Sequence, residues 1–461
     1  MKNIIAEIAT NFINEILNFF SNDGDQLTLT QIEQELMPKA KEFICNLTSL
    51  YFEEVNSNLV KDKSGRAKEG YSIERHNDTR RVLTSLGELD FKRTYFSYKE
   101  GGHVYLVDLA VGLESHVRLS EELSEALAEA ACKMPYAKSS AYVADGAVSR
   151  QSVMNQIRQC QAASPVIAAE KRKVGVLHID ADEDHVTLQG GKKTIVPLIS
   201  VYEGIEQKGK RGICSEIFHI SEYGKETDDL WVQVLDEVMA RYEIEETRIY
   251  IHGDGAKWIQ KALEWFPGAI FVLDKYHKNK AITAMTAGLG LETRKTFSKE
   301  IRAALYSNDI QYFTDLTQSL ISQRPDRKDT ISEAADYLLK NINAIHVCFT
   351  DPEANNGGCA EPHVSHILSS RFSTRPMAWS KKTLKQLAPM LANNGVVERC
   401  CKLNTIESRL LRKASRAARR TFKGYRFATS PDAIGTLQPL NSGKVTQLSR
   451  TLRSISQNTI I

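Results

Sequence analysis

The sequence has no long hydrophobic run and no marked excess of one charge. No stretch approaches the roughly 18 consecutive apolar residues that a transmembrane helix needs, and residues 1–7 are too acidic and too short in apolar run for a secretion signal. Lysine and arginine number 60 against 57 acidic residues, a formal net charge of +3, which does not by itself mark a nucleic-acid-binding protein. We therefore expect a cytoplasmic protein without a membrane partner.

Cysteine is sparse and scattered. The 461 residues include eight cysteines, of which only Cys400 and Cys401 stand close together. This spacing indicates neither a disulfide framework nor a paired-cysteine zinc site, so we expect reduced and mostly buried thiols. The length exceeds what one hydrophobic core usually organises, which predicts about two to four folding units.

The first part of the chain is predicted to be mainly helical and to bind DNA. Residues 1–75 carry apolar residues at helical spacing, and the basic stretch 61–70 reads as an exposed linker. Residues 76–165 form the predicted DNA-binding region, which opens with strand-like alternation over 79–109 and continues as helices.

A possible helix-turn-helix lies in this region. Residues 137–144 predict one helix, Asp145 and Gly146 a turn, and Ser149 the N-cap of a second helix. Three side chains of the second helix are placed to contact base edges or phosphates: Arg150, Gln151 and Asn155. Two ordinary packed helices joined by a glycine turn also fit the pattern, and both interpretations stay open.

Residues 166–280 predict the first part of an α/β core. The expected elements are strands at 174–179, 194–201 and 213–220, a helix opening at Thr227, a strand at 248–251, a helix through Trp258 and Leu263, and a strand at 269–273. The order β-β-β-α-β-α-β is that of a ribonuclease-H-like fold, in which a meander is followed by crossover helices that feed parallel strands. We therefore expect a mixed sheet.

The rest of the chain is predicted to interrupt and then complete this core. Residues 281–352 carry only helical periodicity and indicate a helical insertion. The last core helix resumes at Glu361 within the segment 353–425, and residues 426–461 form a tail. Pro362 suits the first turn of that helix, where its missing N–H is no loss.

Three acidic residues are spaced as a metal-dependent phosphoryl-transfer site requires. Asp182 follows the first predicted strand, Asp254 follows the fourth between two glycines, and Glu361 begins the helix beyond the insertion. Two divalent ions about 3.5–4 Å apart can activate an attacking oxygen and stabilise a leaving one, and Mg²⁺ prefers carboxylate oxygens. Asp180 shares a strand face with Asp182 and stays an alternative first ligand. Singly, each acid also fits an ordinary turn or helix end.

Basic residues recur at helical spacing near the C-terminus. They are Arg409, Arg412, Lys413, Arg416, Arg419 and Arg420. Such a helix can present guanidinium groups to DNA phosphates, giving binding that weakens steeply with salt. A solvated basic face is the alternative.

Four ordered segments make this chain similar to the ISLre-type insertion-sequence transposases, a group long catalogued as an uncharacterised family. The segments are 178–186, 251–259, 273–280 and 358–371, the last followed by 375–380. The resemblance spans roughly residues 80–380. It implies a DDE transposase with a ribonuclease-H-like catalytic domain and a helical insertion.

The resemblance also implies roles for particular residues. Asp182, Asp254 and Glu361 correspond to a DDE catalytic triad that holds two Mg²⁺ or Mn²⁺ ions. Asp274 and His277 match the Asp/Cys-x-x-His signature of related transposases and are expected to support the site. His363 and His366, spaced i, i+3, are interpreted as a helix face near the acids, because no third nitrogen or sulfur ligand accompanies them.

The chain departs from the family pattern at three positions. Pro362 and Ala378 stand where glycine is expected, and Asp180 stands where glutamate is more usual. None of these departures removes a proposed ligand.

The function expected from this resemblance is DNA transposition. The protein would bind double-stranded DNA at the element's terminal inverted repeats, cut the ends and join the 3′-hydroxyl to target DNA. We expect a homo-oligomer, since two ends must be joined in one complex, and association with the nucleoid when DNA is bound. The alternatives are a ribonuclease-H-like nuclease or junction resolvase without strand transfer, and a non-catalytic DNA-binding relic.

Overall fold

The computed structural model describes residues 2–22, 27–98, 102–113, 116–165, 167–209 and 211–399. It divides into two compact units, Met1–Cys160 and Gln161–Ile461. The C-terminal tail and the predicted basic helix lie outside the described residues: Arg409, Arg412, Lys413, Arg416, Arg419 and Arg420. Within the described ranges, no helix is both long and apolar enough to span a membrane.

The first unit combines helices with a three-stranded antiparallel sheet in the order β1-β2-β3. Its elements are α1 (Lys2–Asn22), α2 (Leu29–Lys61), α3 (Lys63–Glu69), β1 (Tyr71–Thr84), β2 (Gly87–Tyr98), β3 (His103–Val104), α4 (Leu106–Ala110), α5 (Glu121–Lys133), α6 (Tyr136–Ala144) and α7 (Arg150–Ile157). Helix α2 packs against β2, where Phe52 meets the buried Phe91 at 5.0 Å between ring centroids.

The prediction of an exposed linker at residues 61–70 is wrong, because α3 occupies most of it. The Asp62 carboxylate accepts a hydrogen bond from the Gly65 N–H at 2.9 Å and so caps the helix. Gly70 ends it with φ of 80°, a left-handed conformation that glycine adopts without strain. The charged residues and glycines that suggested a linker include Asp62 and Gly70, which cap the two ends of this short helix.

The predicted pair of helices is present as α6 and α7. Asp145 and Gly146 take left-handed conformations between them, with φ of 47° and 80°. The Ser140 hydroxyl donates to the Val148 carbonyl at 2.5 Å and accepts from the Val148 N–H at 3.2 Å, which fixes the turn. Both helices pack on α5, forming a three-helix cluster.

The second unit is an α/β unit around a five-stranded mixed sheet. Its first elements are β4 (Cys160–Ala162, beginning one residue before the unit), β5 (Arg172–Lys173), β6 (Val176–Thr187), β7 (Lys193–Tyr202), β8 (Gly204–Lys208), β9 (Arg211–Ser215), β10 (Phe218–Ile220), α8 (Thr227–Arg241), β11 (Tyr242–Glu243), β12 (Arg248–Gly253), α9 (Lys257–Gln260), α10 (Ala262–Trp265) and β13 (Ile270–Leu273). The helix predicted through Trp258 and Leu263 is therefore two short helices.

The remaining elements are mostly helical. They are α11 (Lys275–Thr286), α12 (Leu291–Ser307), α13 (Ile310–Gln323), a 3₁₀ turn at Pro325–Arg327, α14 (Lys328–Lys340), α15 (Ile342–Thr350), a 3₁₀ turn at Pro352–Asn356, α16 (Ala360–His363), a π-helical segment at Val364–Ser369, α17 (Ser370–Phe372), α18 (Lys381–Ala392) and β14 (Val397–Arg399).

The order of the large sheet is β10-β7-β6-β12-β13. Strand β6 pairs with β7 antiparallel and with β12 parallel, and β12 pairs with β13 parallel. Because Gly253 lies opposite Leu273 in the last pair, the residues that follow these two strands leave the sheet side by side. The Asp274 N–H donates to the Gly253 carbonyl at 2.9 Å.

The two faces of β6 have different partners, as the period of two in a strand requires. Leu177, Ile179 and Ala181 join Trp231 of α8 in the larger core. The opposite face carries His178 and the acids at 180, 182 and 184. The sheet therefore has one apolar face under α8 and one face that contains polar groups.

Two predicted strands have different bounds in the structure. Strand β6 continues to Thr187, so Asp182 lies within the strand instead of after it; its antiparallel pairing with β7 runs from His178 to Thr187. The strand predicted over 213–220 is divided into β9 and β10, because Glu216 between them has φ of 50°.

The helices between β13 and the second 3₁₀ turn build a core of their own. Phe313, Leu338 and Ile345 are buried in it, and it packs against Leu273 at the end of β13. The helical stretch begins at Lys275, earlier than the predicted boundary at 281, because the Asp274 side chain caps α11. The insertion is thus attached directly to the edge strand of the sheet.

The Phe313→Ala variant is expected to lower the free energy of unfolding by about 3–5 kcal/mol, the usual cost of emptying a buried aromatic site. Phe313 is fully buried in α13, whereas its neighbour Tyr312 is 41% exposed. Urea denaturation of both alanine variants tests this difference. Equal losses for Phe313→Ala and Tyr312→Ala would contradict the packing of the insertion.

Candidate functional site

The three acids predicted from the sequence lie on separate elements of the second unit. Asp182 lies within β6, Asp254 directly follows β12, and Glu361 is the second residue of α16. Burial raises the pKa of Asp182 to about 7, and the negative charges of Glu361 and Asp254 add to the rise. Such repulsion acts at short range. Glu361 and Asp254 therefore lie close enough to Asp182 to raise its pKa.

Asp254 is held by contacts of its own backbone and side chain. Its Oδ1 accepts a hydrogen bond from the Ala256 N–H at 2.8 Å, which closes the turn after β12. Its carbonyl accepts from the Tyr337 hydroxyl of α14 at 2.8 Å. Gly255 has φ of +86°, and a Cβ there would lie 2.9 Å from Asn341 Oδ1, so glycine is needed at this close approach. The helical insertion thus supports the second acid.

Asp274 and His277 form a fixed pair beside these acids. Asp274 Oδ2 accepts from the backbone N–H groups of Tyr276 and His277 at 2.8 and 3.2 Å, which makes Asp274 the N-cap of α11. The same oxygen lies 3.3 Å from His277 Nδ1. This hydrogen bond is the main cause that raises the pKa of His277, and the charges of Asp182, Asp274 and Asp254 add to it. His277 is therefore a favoured site for positive charge among the acids.

Asp180, the alternative first ligand, is occupied by structural hydrogen bonds. Both carboxylate oxygens lie 3.0 Å from the Tyr202 hydroxyl. The Gly358 N–H donates to Oδ1 at 3.3 Å and the Cys359 N–H to Oδ2 at 2.6 Å. The side chain is 1% exposed, and this burial raises its pKa to about 8 while the N–H donors oppose the rise. Asp180 ties β6 to the segment that leads into Glu361.

A second tie attaches the far end of that segment to β6. The Ser373 hydroxyl donates to Asp184 Oδ1 at 2.9 Å. Asp184 lies on the same strand face as Asp180, four residues further along β6. The helical segment 360–372 is therefore held at both ends over the strand that carries Asp182.

A π-helical stretch follows Glu361 immediately. Val364–Ser369 interrupts the α-helical winding between α16 and α17. Segments of this kind are rare and frequently accompany functional sites. His363 Nε2 lies 4.0 Å from Cys214 Sγ, whereas His366 is exposed, so the two histidines do not form a metal pair.

The structure contains a buried histidine pair that was not predicted from the sequence. His178 Nδ1 and His252 Nε2 lie 3.0 Å apart, and burial lowers the pKa of both rings. A Cβ on Gly357 would lie 2.3 Å from His252 Nε2, so the chain passes this pair only as glycine. In the sequence, only the Gly357-Gly358 dipeptide indicates that the chain passes close to other atoms here. A histidine within a strand does not indicate a buried pair.

The donor set is the hard-oxygen type that Mg²⁺ or Mn²⁺ requires. In the described part of the chain, however, no three His, Cys, Asp or Glu side chains stand grouped so that they can hold a metal ion. Carboxylates without a counter-ion repel one another. The carboxylate oxygens of the three acids fit the chemistry of a divalent cation.

The predicted DNA-contacting residues of α7 belong to the first unit. Arg150, Gln151 and Asn155 are all exposed, and the Gln151 amide donates to Asn155 Oδ1 at 3.3 Å. The Ser149 hydroxyl accepts from the Ser152 N–H at 3.1 Å, the cap expected at the start of this helix. The three side chains form one polar exposed face.

Fold and site define an α/β protein with a carboxylate cluster at the carboxyl edge of a mixed sheet. The chain belongs to the uncharacterised protein family UPF0236, whose model matches residues 23–405.

Relatives in this family extend over the whole chain. Three UPF0236 proteins of Caldanaerobacter subterraneus subsp. tengcongensis are each 32% identical to it over 480, 477 and 478 residues. These alignments cover 100% of this chain and 99%, 99% and 100% of the relatives. None of the three names states an activity.

The Asp182→Asn variant is expected to have a higher free energy of unfolding than the wild type above pH 7, when divalent cations are chelated. The unfolded carboxyl ionises near pH 4, whereas the folded one has a pKa of about 7. The contribution of Asp182 to the free energy of unfolding is therefore fully present below about pH 4. It falls as the pH rises to 7, by roughly 4 kcal/mol at most. The variant lacks this loss.

Urea denaturation across this pH range measures the difference, with Glu206→Gln as a control at an exposed carboxyl. Parallel pH profiles for Asp182→Asn and the wild type would contradict the burial of Asp182 among other acids.

Proposed function

We propose that this protein is a DNA transposase of an insertion sequence, acting by metal-dependent phosphoryl transfer with Asp182, Asp254 and Glu361 as its DDE triad. The observation that carries the proposal is the placement of these three acids on joined elements: Asp182 lies in β6, Asp254 follows the paired strand β12, and Glu361 lies in the segment that hydrogen bonds tie to β6. Hard divalent cations in such a cluster are the means by which proteins cleave and join phosphodiesters.

The strand order supports a ribonuclease-H-like catalytic core. Counted along the chain, the strands of the large sheet stand in the order 3-2-1-4-5, with the second antiparallel to its neighbours and the last three parallel. The residues that follow parallel strands at the carboxyl edge are where open α/β sheets bind their ligands. Asp254 and Asp274 occupy two such positions.

Between the two candidates for the first ligand, the geometry favours Asp182. Asp180 has both oxygens engaged by Tyr202 and by backbone N–H groups. The Asp182 side chain accepts a hydrogen bond at Oδ1 from the Glu183 N–H at 2.8 Å. In this proposal Asp182 binds metal, and Asp180 positions the segment that carries Glu361.

The remaining site residues have supporting roles in this reaction. Bound Mg²⁺ or Mn²⁺ would supply activation of the attacking oxygen and stabilisation of the leaving one. Asp182, Asp254 and Glu361 hold the cations, and Asp274 orients the His277 ring by the contact at Nδ1. The His277 ring, held near three acids, is suited to contact a phosphate oxygen through its other nitrogen.

The names of the relatives give independent support. One name joins eleven locus designations and another joins four. We take these as gene copies within one genome. Such multiplicity is expected of a self-propagating DNA element, whereas a housekeeping nuclease or junction resolvase needs a single gene.

The proposed partners are double-stranded DNA at the element's terminal inverted repeats and the target DNA. The exposed face of Arg150, Gln151 and Asn155 on α7 is suited to base and phosphate contacts. Two ends must be joined in one complex, so the active form in this proposal is a homo-oligomer.

Changing Asp254→Asn or Glu361→Gln is expected to reduce strand transfer by more than about 100-fold, since each removes a charge that the cations need. The assay joins labelled element-end DNA to plasmid DNA in Mg²⁺ or Mn²⁺. Glu206→Gln serves as the control because its carboxyl is exposed. Undiminished transfer by either triad variant would refute the triad.

Two other outcomes of the same assay separate the proposal from its rivals. Cleavage of branched DNA without any joined product would identify a nuclease that only cuts. Metal-independent DNA binding with no chemistry in either cation would identify a relic.

Divalent cations are expected to raise the melting temperature of the wild type, because they relieve the repulsion among the three carboxylates. At a cation concentration 100-fold above the dissociation constant, the gain in stability is about 2.7 kcal/mol. Calorimetry with and without Mn²⁺ measures it. The gain should vanish in Asp254→Asn and persist in Glu206→Gln; an equal gain in both would place the cation elsewhere.

A further inference from the structure

The first unit contains a cavity lined mainly by arginine. Its volume is about 670 Å³, and we call it the arginine pocket. The lining residues are Thr79, Arg80, Arg81, Arg93, His116 and Arg118. It lies on β1 and β2 and on the chain before α5, apart from the exposed face of α7. Four of its six lining residues are arginines, whose guanidinium groups are suited to bind oxyanions.

Two of these arginines are fixed from within the protein. Arg80 is 8% exposed, and its Nη2 donates to the Val117 carbonyl. Arg93 donates from Nη1 to Asp108 Oδ2, and its guanidinium lies 3.4 Å from the centre of the Tyr105 ring. These contacts hold both guanidinium groups in place before any ligand arrives, which reduces the entropy lost on binding.

The other two arginines are exposed at the same cavity. The Arg81 side chain is 70% exposed and forms salt bridges with Asp90 at 3.0 Å and Glu88 at 3.6 Å. Arg118 is exposed as well. Exposed salt bridges of this kind are weak and exchange readily for other anions. The mouth of the pocket can therefore supply guanidinium groups to a ligand.

The lining residues include four arginines and no acid, and the acids Asp90, Glu88 and Asp108 pair with two of these arginines from outside the lining. Asp108 is the buried carboxylate near the two inner arginines, and it pairs with Arg93. Burial is the main cause that lowers the pKa of Arg80, and the charges of Arg93 and Arg118 lower it further. Guanidinium groups that repel one another in a partly buried site gain stability when an oxyanion binds among them.

We propose that the arginine pocket binds the phosphate backbone of double-stranded DNA. Arginine matches phosphate because its planar fork donates two parallel hydrogen bonds to two oxygens. A cavity of about 670 Å³ exceeds the space for one phosphate, and it admits a phosphodiester with its flanking sugars. The pocket contacts no base edge in this proposal, so it contributes affinity and orientation without sequence preference.

This inference rests on the proposed function, since it supplies a backbone contact for the DNA that the triad would cut. It adds a surface on the β1–β2 hairpin to the face of α7.

The test measures DNA binding without chemistry. Full-length protein binds a fluorescent double-stranded oligonucleotide in EDTA at several salt concentrations. The variants are Arg81→Gln, Arg118→Gln and their combination; Arg80 and Arg93 are left intact because their loss would destabilise the hairpin. Arg75→Gln is the matched control, since Arg75 is an exposed arginine of β1, paired with Asp78, that does not line the pocket.

Each pocket variant should lower the slope of log K against log salt by about 0.9, the effect of one lost phosphate contact. The double variant should lower it by about twice that amount, and Arg75→Gln should leave it near the wild-type slope. Arg118→Lys should bind DNA more tightly than Arg118→Gln but less tightly than the wild type, because lysine keeps the positive charge without the two parallel donors of a guanidinium group. Melting temperatures check that all variants remain folded.

Three results would overturn the proposal. Pocket variants that bind DNA like Arg75→Gln would refute it while leaving the transposase proposal intact. A wild type that binds no DNA at all would refute both. Calorimetric binding of inorganic pyrophosphate that is lost in Arg118→Gln, with unchanged DNA binding, would assign the pocket to a small free anion.

Discussion

The attachment of β6 to the helical segment after residue 357 is the constraint on which the candidate site depends. Asp180 accepts the N–H groups of Gly358 and Cys359, and Asp184 accepts the Ser373 hydroxyl. These contacts join parts of the chain that the insertion separates. They fix both ends of the segment that carries Glu361. Asp182 lies between the two tied positions on the same strand face, so its distance from Glu361 follows from its neighbours.

The site is built from groups that are costly to bury. Burial raises the pKa of Asp180 although its N–H donors oppose the rise, and burial and like charges raise the pKa of Asp182. Burial lowers the pKa of His178 and His252, which favours the uncharged form of both rings. A protein selected for stability alone would fill these positions with apolar side chains. Their concentration at one edge of the sheet is typical of a functional site.

Local sequence pattern predicted the strands and most helices of the second unit, because alternation and helical spacing are properties of short segments. The three acids of the proposed triad were expected near strand and helix ends; Asp254 and Glu361 stand there, whereas Asp182 lies inside β6. The continuation of β6 through Asp182 was missed, since residues 182–185 are polar on both faces of the strand and show no apolar alternation. The ties from Asp180 could not be predicted, because their partners lie about 180 residues away. The helix α3 was missed because its capping residues resemble a linker.

The insertion has a structural part in the site, which explains the long separation between the second and third acids. Its core packs against Leu273, and Tyr337 of α14 donates to the backbone carbonyl of Asp254. The Asn341 side chain lies close to Gly255, the residue that follows Asp254. Asp254 is therefore supported by the insertion, whereas Glu361 is supported by the ties to β6. Since the two supports share no residue, the positions of the second and third acids relative to Asp182 are fixed by independent sets of contacts.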